Sequence, residues 1–549
     1  MKNRKLVLIV VIVFTFLAFR SVNEDDRYFQ IVKNLDIFTT LFKEVNAYYV
    51  EEINPGELMK IGIDAMLSSL DPYTDYIPED DIEDYRTMTT GEYGGIGAIV
   101  ARKGGINTIV MPYENSPAIR AGLLIGDQIL KINGVDLSNK RSHEIGKLLR
   151  SQTNSTLELE IQRLNRPESF IVNLNTQTIT IKNVPYAGLI ANEVGYIKLT
   201  DFTSQAGEEV ANALTSLKSQ GASKIILDLR GNPGGLLGEA INVSNIFLPK
   251  GNEVVSTRGK LESWTKVYNT QNQPIDIEIP LVILTDNSSA SASEIVAGVV
   301  QDYDRGILVG RKTYGKGLVQ QTRPLAYNAQ IKVTTAKYYI PSGRCIQAID
   351  YSTRNEDGSV GKIADSLKSE FQTANGRLVY DGGGVDPDIA VDPEEFSQVS
   401  YQLMRKNLIF DYATRYYFEH EKIAEARDFK LTDDDFEQFA EWLSKMNFDY
   451  TTPLEVKVEE LSNMAKKESR SALIKEDIAQ LQLLINHDKV ADLNTYKSEI
   501  IQLLEQDIVS RYYLQGGIIE TTFDDDPDIV RALEVLSDME FYQRLLKSN

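Results

Sequence analysis

The 549-residue sequence predicts a multidomain α/β protein: an α/β core, a β-rich module inserted ahead of it, and helical regions at both ends. Three observations lead there. Strand-like and helix-like apolar spacings alternate from Gly195 to Val300. Between Gly91 and Thr176, glycines, β-branched residues and turn signals dominate. From Pro393 the chain is nearly free of glycine until Gly516 and keeps helical spacing. At ~100–200 residues per domain the length accommodates three or four units.

Lys2, Arg4 and Lys5 precede the uncharged apolar run Leu6 to Phe19, the order of a secretory signal. That run falls short of the ~20 residues of a spanning helix. Phe19 and Arg20 also leave no small-x-small cleavage site. Residues 1–22 are therefore either a cleaved signal or a retained membrane anchor, and both imply export.

Residues 23–90 carry helical spacing in Ile31, Leu35, Phe38, Leu41, Phe42 and Val45, broken at Asn54-Pro55-Gly56 and Asp71-Pro72. Residues 91–176 hold short strands such as Ile106 to Met111 and Leu157 to Arg163. In Gly95-Ile96-Gly97-Ala98, alternating glycines allow successive amides to surround a terminal carboxylate. Ser116 to Leu123 and Gly126 to Gly134 then follow the turn, helix, turn, strand order of a PDZ-like fold. The α/β core is placed at residues 177–392 and a helical extension at residues 393–549, with acidic clusters at Asp433 to Asp435 and Asp524 to Asp526.

Composition narrows the function. With 42% hydrophobic and 25% charged residues the chain is a folding, globular one. Its net charge of −21, from 79 acidic against 58 basic side chains, would repel a phosphate backbone, so nucleic acid is not expected as a partner. Cys345 is the one cysteine, which leaves no intramolecular disulfide and no multi-cysteine metal site.

The chemistry concentrates in Asp286 to Glu294, which follows the apolar strand Leu281 to Thr285 and opens the helix after Ser291. A serine at a strand-to-helix junction stands at the sheet edge, where N–H groups of the first helical turn face a developing oxyanion. Ser291-Ala292-Ser293-Glu294 also satisfies the S-x-x-E capping box, so plain helix capping competes with catalysis. A serine nucleophile needs a base. The histidines are His143, His420 and His487, the last two in the helical extension, which gives a Ser-His-Asp triad little support.

Lysine can replace histidine when burial favours its neutral amine, and Lys316 in Gly315-Lys316-Gly317-Leu318-Val319-Gln320 is the candidate. The β-type run Leu318-Val319 predicts a strand here, so the even spacing of Lys316 and Gln320 turns both to the same side of it, and Gln320 can orient the amine. Gly310 to Lys316 also matches G-x-x-x-x-G-K, but Gly317 stands where a nucleotide-binding loop needs Ser or Thr for Mg²⁺. Gly234 and Gly235, in Asp228 to Gly235, are oxyanion-hole candidates beside Ala292.

Taken together, these motifs resemble the C-terminal processing peptidases, or tail-specific proteases, over roughly residues 35–390. The shared segments run in the family's order and include Pro341-Ser342-Gly343-Arg344 and Gly383 to Asp388. The resemblance implies a crotonase/Clp-protease-like core, Ser291 as nucleophile, Lys316 as general base and Gln320 in support. It further implies a PDZ domain that holds free, apolar substrate C-termini through Gly95, Ile96, Gly97 and Ala98 and can gate the active site. It places the protein outside the bacterial cytoplasm, in the periplasm, soluble or held at the inner membrane by residues 1–22. No metal or nucleotide cofactor is expected, protein or peptide substrates are, and a homo-oligomer is left open.

Overall fold

The computed structural model describes residues 26–547 apart from 151–152, 192, 352–353, 355–358, 447, 469–470 and 486–488. The export segment expected over residues 1–22 lies outside them. Among the described residues no helix is long and apolar enough to cross a membrane. The chain forms two units, one of residues up to 76 with 322–333, the other of residues 77–321 with 334–549.

In the first unit residues 26–48 are helical. The break expected at Asn54 is the start of the next helix, α1 (Pro55–Ser68). Asn54 Oδ1 accepts the N–H groups of Gly56 and Glu57 at 3.0 and 3.3 Å, and Pro55 has no N–H to leave unpaired.

The second unit opens with α2 (Ile82–Thr90) and β1 (Glu92–Gly95). There follow β2 (Ala98–Lys103), β3 (Ile106–Pro112), β4 (Gln128–Ile132), α3 (Ser142–Leu149), β5 (Thr156–Gln162) and β6 (Phe170–Asn175). These strands pair antiparallel in the order β2-β3-β4-β5-β6. Ile109, Ile129, Leu159 and Ile161 are buried inside with Ile145 and Leu149 of α3. β7 (Gln177–Thr180) returns to pair with β1, so this two-stranded ribbon straddles the boundary expected at residue 176.

The core continues through β8 (Tyr186–Ala191), β9 (Val194–Lys198), α4 (Ala206–Ser219), β10 (Lys224–Asp228) and α5 (Leu237–Phe247). Then come β11 (Leu281–Thr285), α6 (Ala292–Asp302), β12 (Ile307–Gly310), β13 (Leu318–Pro324), β14 (Gln330–Tyr339) and β15 (Ile389–Ala390). The central sheet is six-stranded, in the order β8-β9-β10-β11-β12-β15. Its strands are parallel except for the β8/β9 pair. Helices α4, α5 and α6 cover one face, burying Val210, Leu214, Val243, Phe247, Val296 and Val299.

The extension includes α7 (Gln398–Arg405), α8 (Leu408–Glu419), α9 (Asp433–Lys445), α10 (Lys497–Thr521), α11 (Pro527–Ser537) and α12 (Met539–Leu545). Residues 399–509 contribute a core of their own, with Tyr412, Phe439, Trp442 and Ile508 inside. The boundary expected at residue 393 does not separate extension from core in space. Phe523, Ile529, Val535, Leu536 and Tyr542 pack with Ile226, Val282 and Leu284 on the other face of the central sheet. The PDZ-like module also meets the extension: Lys103 Nζ donates to Asn407 Oδ1 at 3.1 Å and lies over the Phe410 ring.

Candidate active site

β11 is buried along its whole length and ends at Thr285. The chain then turns through Asp286 to Ala290 and enters α6 with Ser291 as its N-cap, at φ 55° and ψ −110°. A non-glycine residue held at such a positive φ is strained by ~1–3 kcal/mol, so its surroundings must fix it. The neighbouring serines serve the turn. Ser289 and Ser293, both fully buried, donate to Leu229 O at 2.9 Å and Asn232 O at 3.0 Å. Ser291 is only half-buried. Its hydroxyl approaches the Glu294 backbone in the outline of a capping box, without a well-formed hydrogen bond.

Glu294 does more than the expected capping. Its carboxylate is fully buried. Oε2 accepts the N–H groups of Ser291 at 2.8 Å and Lys316 at 2.9 Å. Oε1 accepts from Gly315 N at 2.7 Å and Thr313 Oγ1 at 2.6 Å. Burial pushes its pKa up to about 7, and the four hydrogen bonds oppose that rise. A second clasp lies beneath: Tyr338, 1% exposed, donates its hydroxyl to Lys316 O at 2.6 Å, with Ser291 O 3.1 Å away. The backbones of Ser291 and Lys316, 25 positions apart in the sequence numbering, are thus stapled together at two points. Tyr338 was not singled out from the sequence, because a tyrosine in a β-type run reads as packing.

Lys316 departs from one expectation. It is half-buried and lies in the loop two positions before β13 begins, so strand alternation does not couple it to Gln320. Gln320 is on β13, where its Nε2 donates to Thr334 Oγ1 of β14 at 3.2 Å. The G-x-x-x-x-G-K match is also accounted for. The amides of Gly315 and Lys316, which would cradle a phosphate, hold Glu294 instead, and a strand follows rather than a helix.

The loop after β10 lies against this junction. Gly234 has φ 98°, and a Cβ there would stand 2.8 Å from Ser291 Cβ and 2.6 Å from Ala290 O, so only glycine fits. Its N–H donates to Asn232 Oδ1 at 2.9 Å. That corrects the expectation that Gly234 presents a bare amide. Among the described residues Gly235 and Ala292 show no acceptor for their N–H groups. Asn232, fully buried, also accepts Ala290 N at 3.0 Å through its backbone oxygen and donates Nδ2 to Leu199 O. It ties one loop to the other, a role its place in a glycine-rich turn did not announce.

The remaining motif residues brace the site from behind. Arg344, 1% exposed, pairs with Asp302 at 2.8 Å at the end of α6. Val385 N donates to Thr313 Oγ1 at 2.7 Å, which in turn donates to Glu294. His143 is exposed on α3, near Asp81 and Asp84, and His420 stacks on Tyr416. His487 lies outside the described residues.

In the PDZ-like module a cavity of about 300 Å³ runs between β2 and α3. Ile96, Val100, Ile145 and Leu149 give it apolar walls, and Arg102 and Arg150 also line it. Gly97 has φ 73°, and its carbonyl accepts Tyr113 N, while Ile96 O accepts Ala118 N. Gly95 pairs with Gln177 across the ribbon. Beside the cavity α3 is tied to the segment before the module, with Lys147 at 3.5 Å from Asp81 and Arg150 paired to Asp84.

Three family models match the chain: peptidase family S41 over residues 193–353, a PDZ domain over residues 108–163, and the C-terminal helical domain of a probable PDZ-protease over residues 399–536. The chain is 35% identical over 331 residues to the carboxy-terminal-processing protease of Bartonella bacilliformis, covering 60% of this chain and 75% of that protein. It is 32% identical over 345 residues to a probable CtpA-like serine protease of Staphylococcus aureus, covering 62% and 67%. Among solved structures, the photosystem II D1 C-terminal processing protease shares 25% identity at a TM-score of 0.36, over 65% of this chain and 92% of that one.

Proposed function

The chain belongs to peptidase family S41 as a carboxy-terminal-processing serine protease with a PDZ domain, and from that membership we propose how it works. Ser291 is the nucleophile and Lys316 its general base, and hydrolysis runs through an acyl-enzyme on Ser291. One observation carries this reading: Glu294 and Tyr338 each bind the backbones of both residues.

The Lys316 amine takes the Ser291 proton as Oγ attacks the scissile carbonyl, and the oxyanion forms toward the N–H groups of Gly235 and Ala292. The protonated amine then delivers its proton to the leaving nitrogen. Water, deprotonated by the same amine, attacks the ester carbonyl and releases Ser291. Gln320 supports the base from β13. The cavity between β2 and α3 holds a substrate's free, apolar C-terminus, with the Gly95 to Ala98 segment toward the carboxylate and the apolar walls around the last side chain. Export to the periplasm through residues 1–22 fits the basic and apolar start of the chain.

Ser291→Ala and Lys316→Ala are each expected to abolish hydrolysis of an unfolded protein while leaving thermal unfolding intact. Lys316→Arg should be equally inactive, because a guanidinium stays protonated. Turnover near wild type in either Lys316 variant would refute the dyad.

A further inference from the structure

The oxyanion loop is held from an unexpected direction. Arg230 sits in it, two residues beyond β10, with its side chain 14% exposed. Its Nε and Nη2 donate to Asp228, which is fully buried and also accepts Tyr196 Oη at 2.6 Å. Its Nη1 reaches the opposite way, to Asp526 Oδ1 and Oδ2 at 2.8 Å and to Asp528 Oδ2 at 2.8 Å. Asp526 caps α11 and Asp528 lies in its first turn, nearly 300 positions further along the chain.

Helix capping does not account for this arrangement. Asp526 Oδ1 does accept the N–H groups of Asp528 and Ile529. A cap, however, needs no second buried carboxylate, and Asp528 is 2% exposed with Oδ1 lacking a partner. Burial raises the Asp528 carboxyl and the Arg230 charge opposes that rise. Arg311, just past β12, stands 3.6 Å from Asp528, and Lys198 stands 3.2 Å from Asp228. Three carboxylates thus meet three cations at the ends of the central strands, the side on which an open α/β sheet places its site.

From Arg230 the loop runs directly to Ser291. Gly231 N donates to Asp286 Oδ1 at 3.0 Å, Asn232 binds Ala290 and Ser293, and Gly234 lies against Ser291. We propose that Asp526 and Asp528 are positioning residues of the protease site: through Arg230 they hold the Gly231 to Gly235 loop against Ser291, which makes the start of α11 a working part of catalysis. Three of the five loop residues are glycines, whose backbones adopt many conformations, so the loop depends on its contacts to stay in place. A guanidinium fork gripped from both sides supplies the rigidity an oxyanion donor needs.

The inference rests on Ser291 being the nucleophile, and the test separates the two. Full-length Asp526→Asn/Asp528→Asn keeps both side-chain volumes and leaves an asparagine, a good N-cap, at residue 526. With a peptide carrying an apolar free C-terminus, kcat should fall ~10-fold or more while KM stays within ~2-fold, because the groove is untouched and only the transition-state contact loosens. Labelling of Ser291 by a small fluorophosphonate should slow in parallel. Adding both substitutions to Arg230→Gln should lower kcat no further than Arg230→Gln alone, since all three act through one fork. Unchanged kcat and labelling with a lowered Tm would overturn the proposal and leave a structural clasp. An additive triple variant would overturn the route through Arg230. An active Ser291→Ala measured alongside would instead refute the nucleophile, independently of what the aspartates do to turnover.

Discussion

Alternate residues of the central strands look out on different parts of the chain. Ile225, Leu227, Leu281 and Ile283 face α4, α5 and α6, which arise between or directly after those strands. Ile226, Val282 and Leu284 face α11, α12 and Phe523, which arrive more than 200 positions later. Both faces are buried and both are built by period-two alternation. The first is closed by local connections and carries the candidate nucleophile Ser291 at the start of α6, whereas the second is closed by elements beyond residue 522. One sheet is thus covered by two routes, and the second meets the site only at the start of α11, where Asp526 and Asp528 hold Arg230.

The largest effect should come from removing the second cover. A chain ending at residue 522 bares Ile226, Val282, Leu284 and Val309, all fully buried in the intact protein. It is expected to aggregate and to show no cooperative unfolding. A soluble truncated chain with an ordinary Tm would mean that α11 and α12 only decorate the sheet.

Equivalent residues on the two faces allow a finer comparison. Phe247 on α5 and Phe523 ahead of α11 are 0% and 2% exposed. Replacing either by alanine should cost ~3–5 kcal/mol in denaturant titrations, since each empties a packed site. A Phe523→Ala change below ~1 kcal/mol would show that the second face packs loosely.

Glu294 tests the first face where it meets chemistry. In Glu294→Gln an amide NH₂ replaces one oxygen and confronts two N–H or O–H donors, so kcat should fall ~100-fold, equivalent to ~3 kcal/mol, the strength of hydrogen bonds to a charge. The pH dependence has a defined sign. Burial raises this carboxyl from its ordinary 4.5 to about 7 in the folded protein. Between those values the folded state binds a proton that the unfolded chain releases. Its contribution is therefore full below pH 4.5 and is lost as pH rises through about 7. Stability of the wild type relative to Glu294→Gln should decline over that window in urea titrations; a flat difference would mean that Glu294 does not titrate there.

Much of the first face was legible in the sequence. Strand and helix spacing alternate from Gly195 to Val300, and the Ser291 and Lys316 segments carry glycine and serine patterns that packing alone does not require. The second face was half legible. Runs such as Leu281 to Thr285, apolar at successive positions, require cover on both sides, but nothing local names what supplies it. Asp526 reads only as part of the acidic cluster Asp524 to Asp526 and Asp528 carries no signal of its own, because spacing along a chain carries no information about a partner almost 300 positions away. The sequence around Glu294 spells a cap, and Glu294 does accept Ser291 N, but the donors from Thr313, Gly315 and Lys316 become visible only when the loops meet.

The smallest effects separate the faces most cleanly, because one oxygen is removed from a buried tyrosine on each. Tyr542 of α12 accepts Leu281 N at 3.0 Å and lies 3.2 Å from Leu281 O, at the start of β11 and the far end of that strand from Ser291. Tyr542→Phe leaves that N–H without its partner and should cost ~1–2 kcal/mol with kcat unchanged. Tyr338 donates to Lys316 O with Ser291 O beside it, so Tyr338→Phe loses a comparable hydrogen bond and a comparable stability. It also frees one of the two staples between Ser291 and Lys316, and kcat should fall ~10-fold, with Glu294 still holding the amides on the other side. Thermal unfolding and kcat, measured on the two phenylalanine variants together, should therefore give matched losses in Tm and unmatched losses in rate. Equal effects on rate would mean that the hydrogen bond to β11 reaches the site along the strand, and that the two faces do not divide the work.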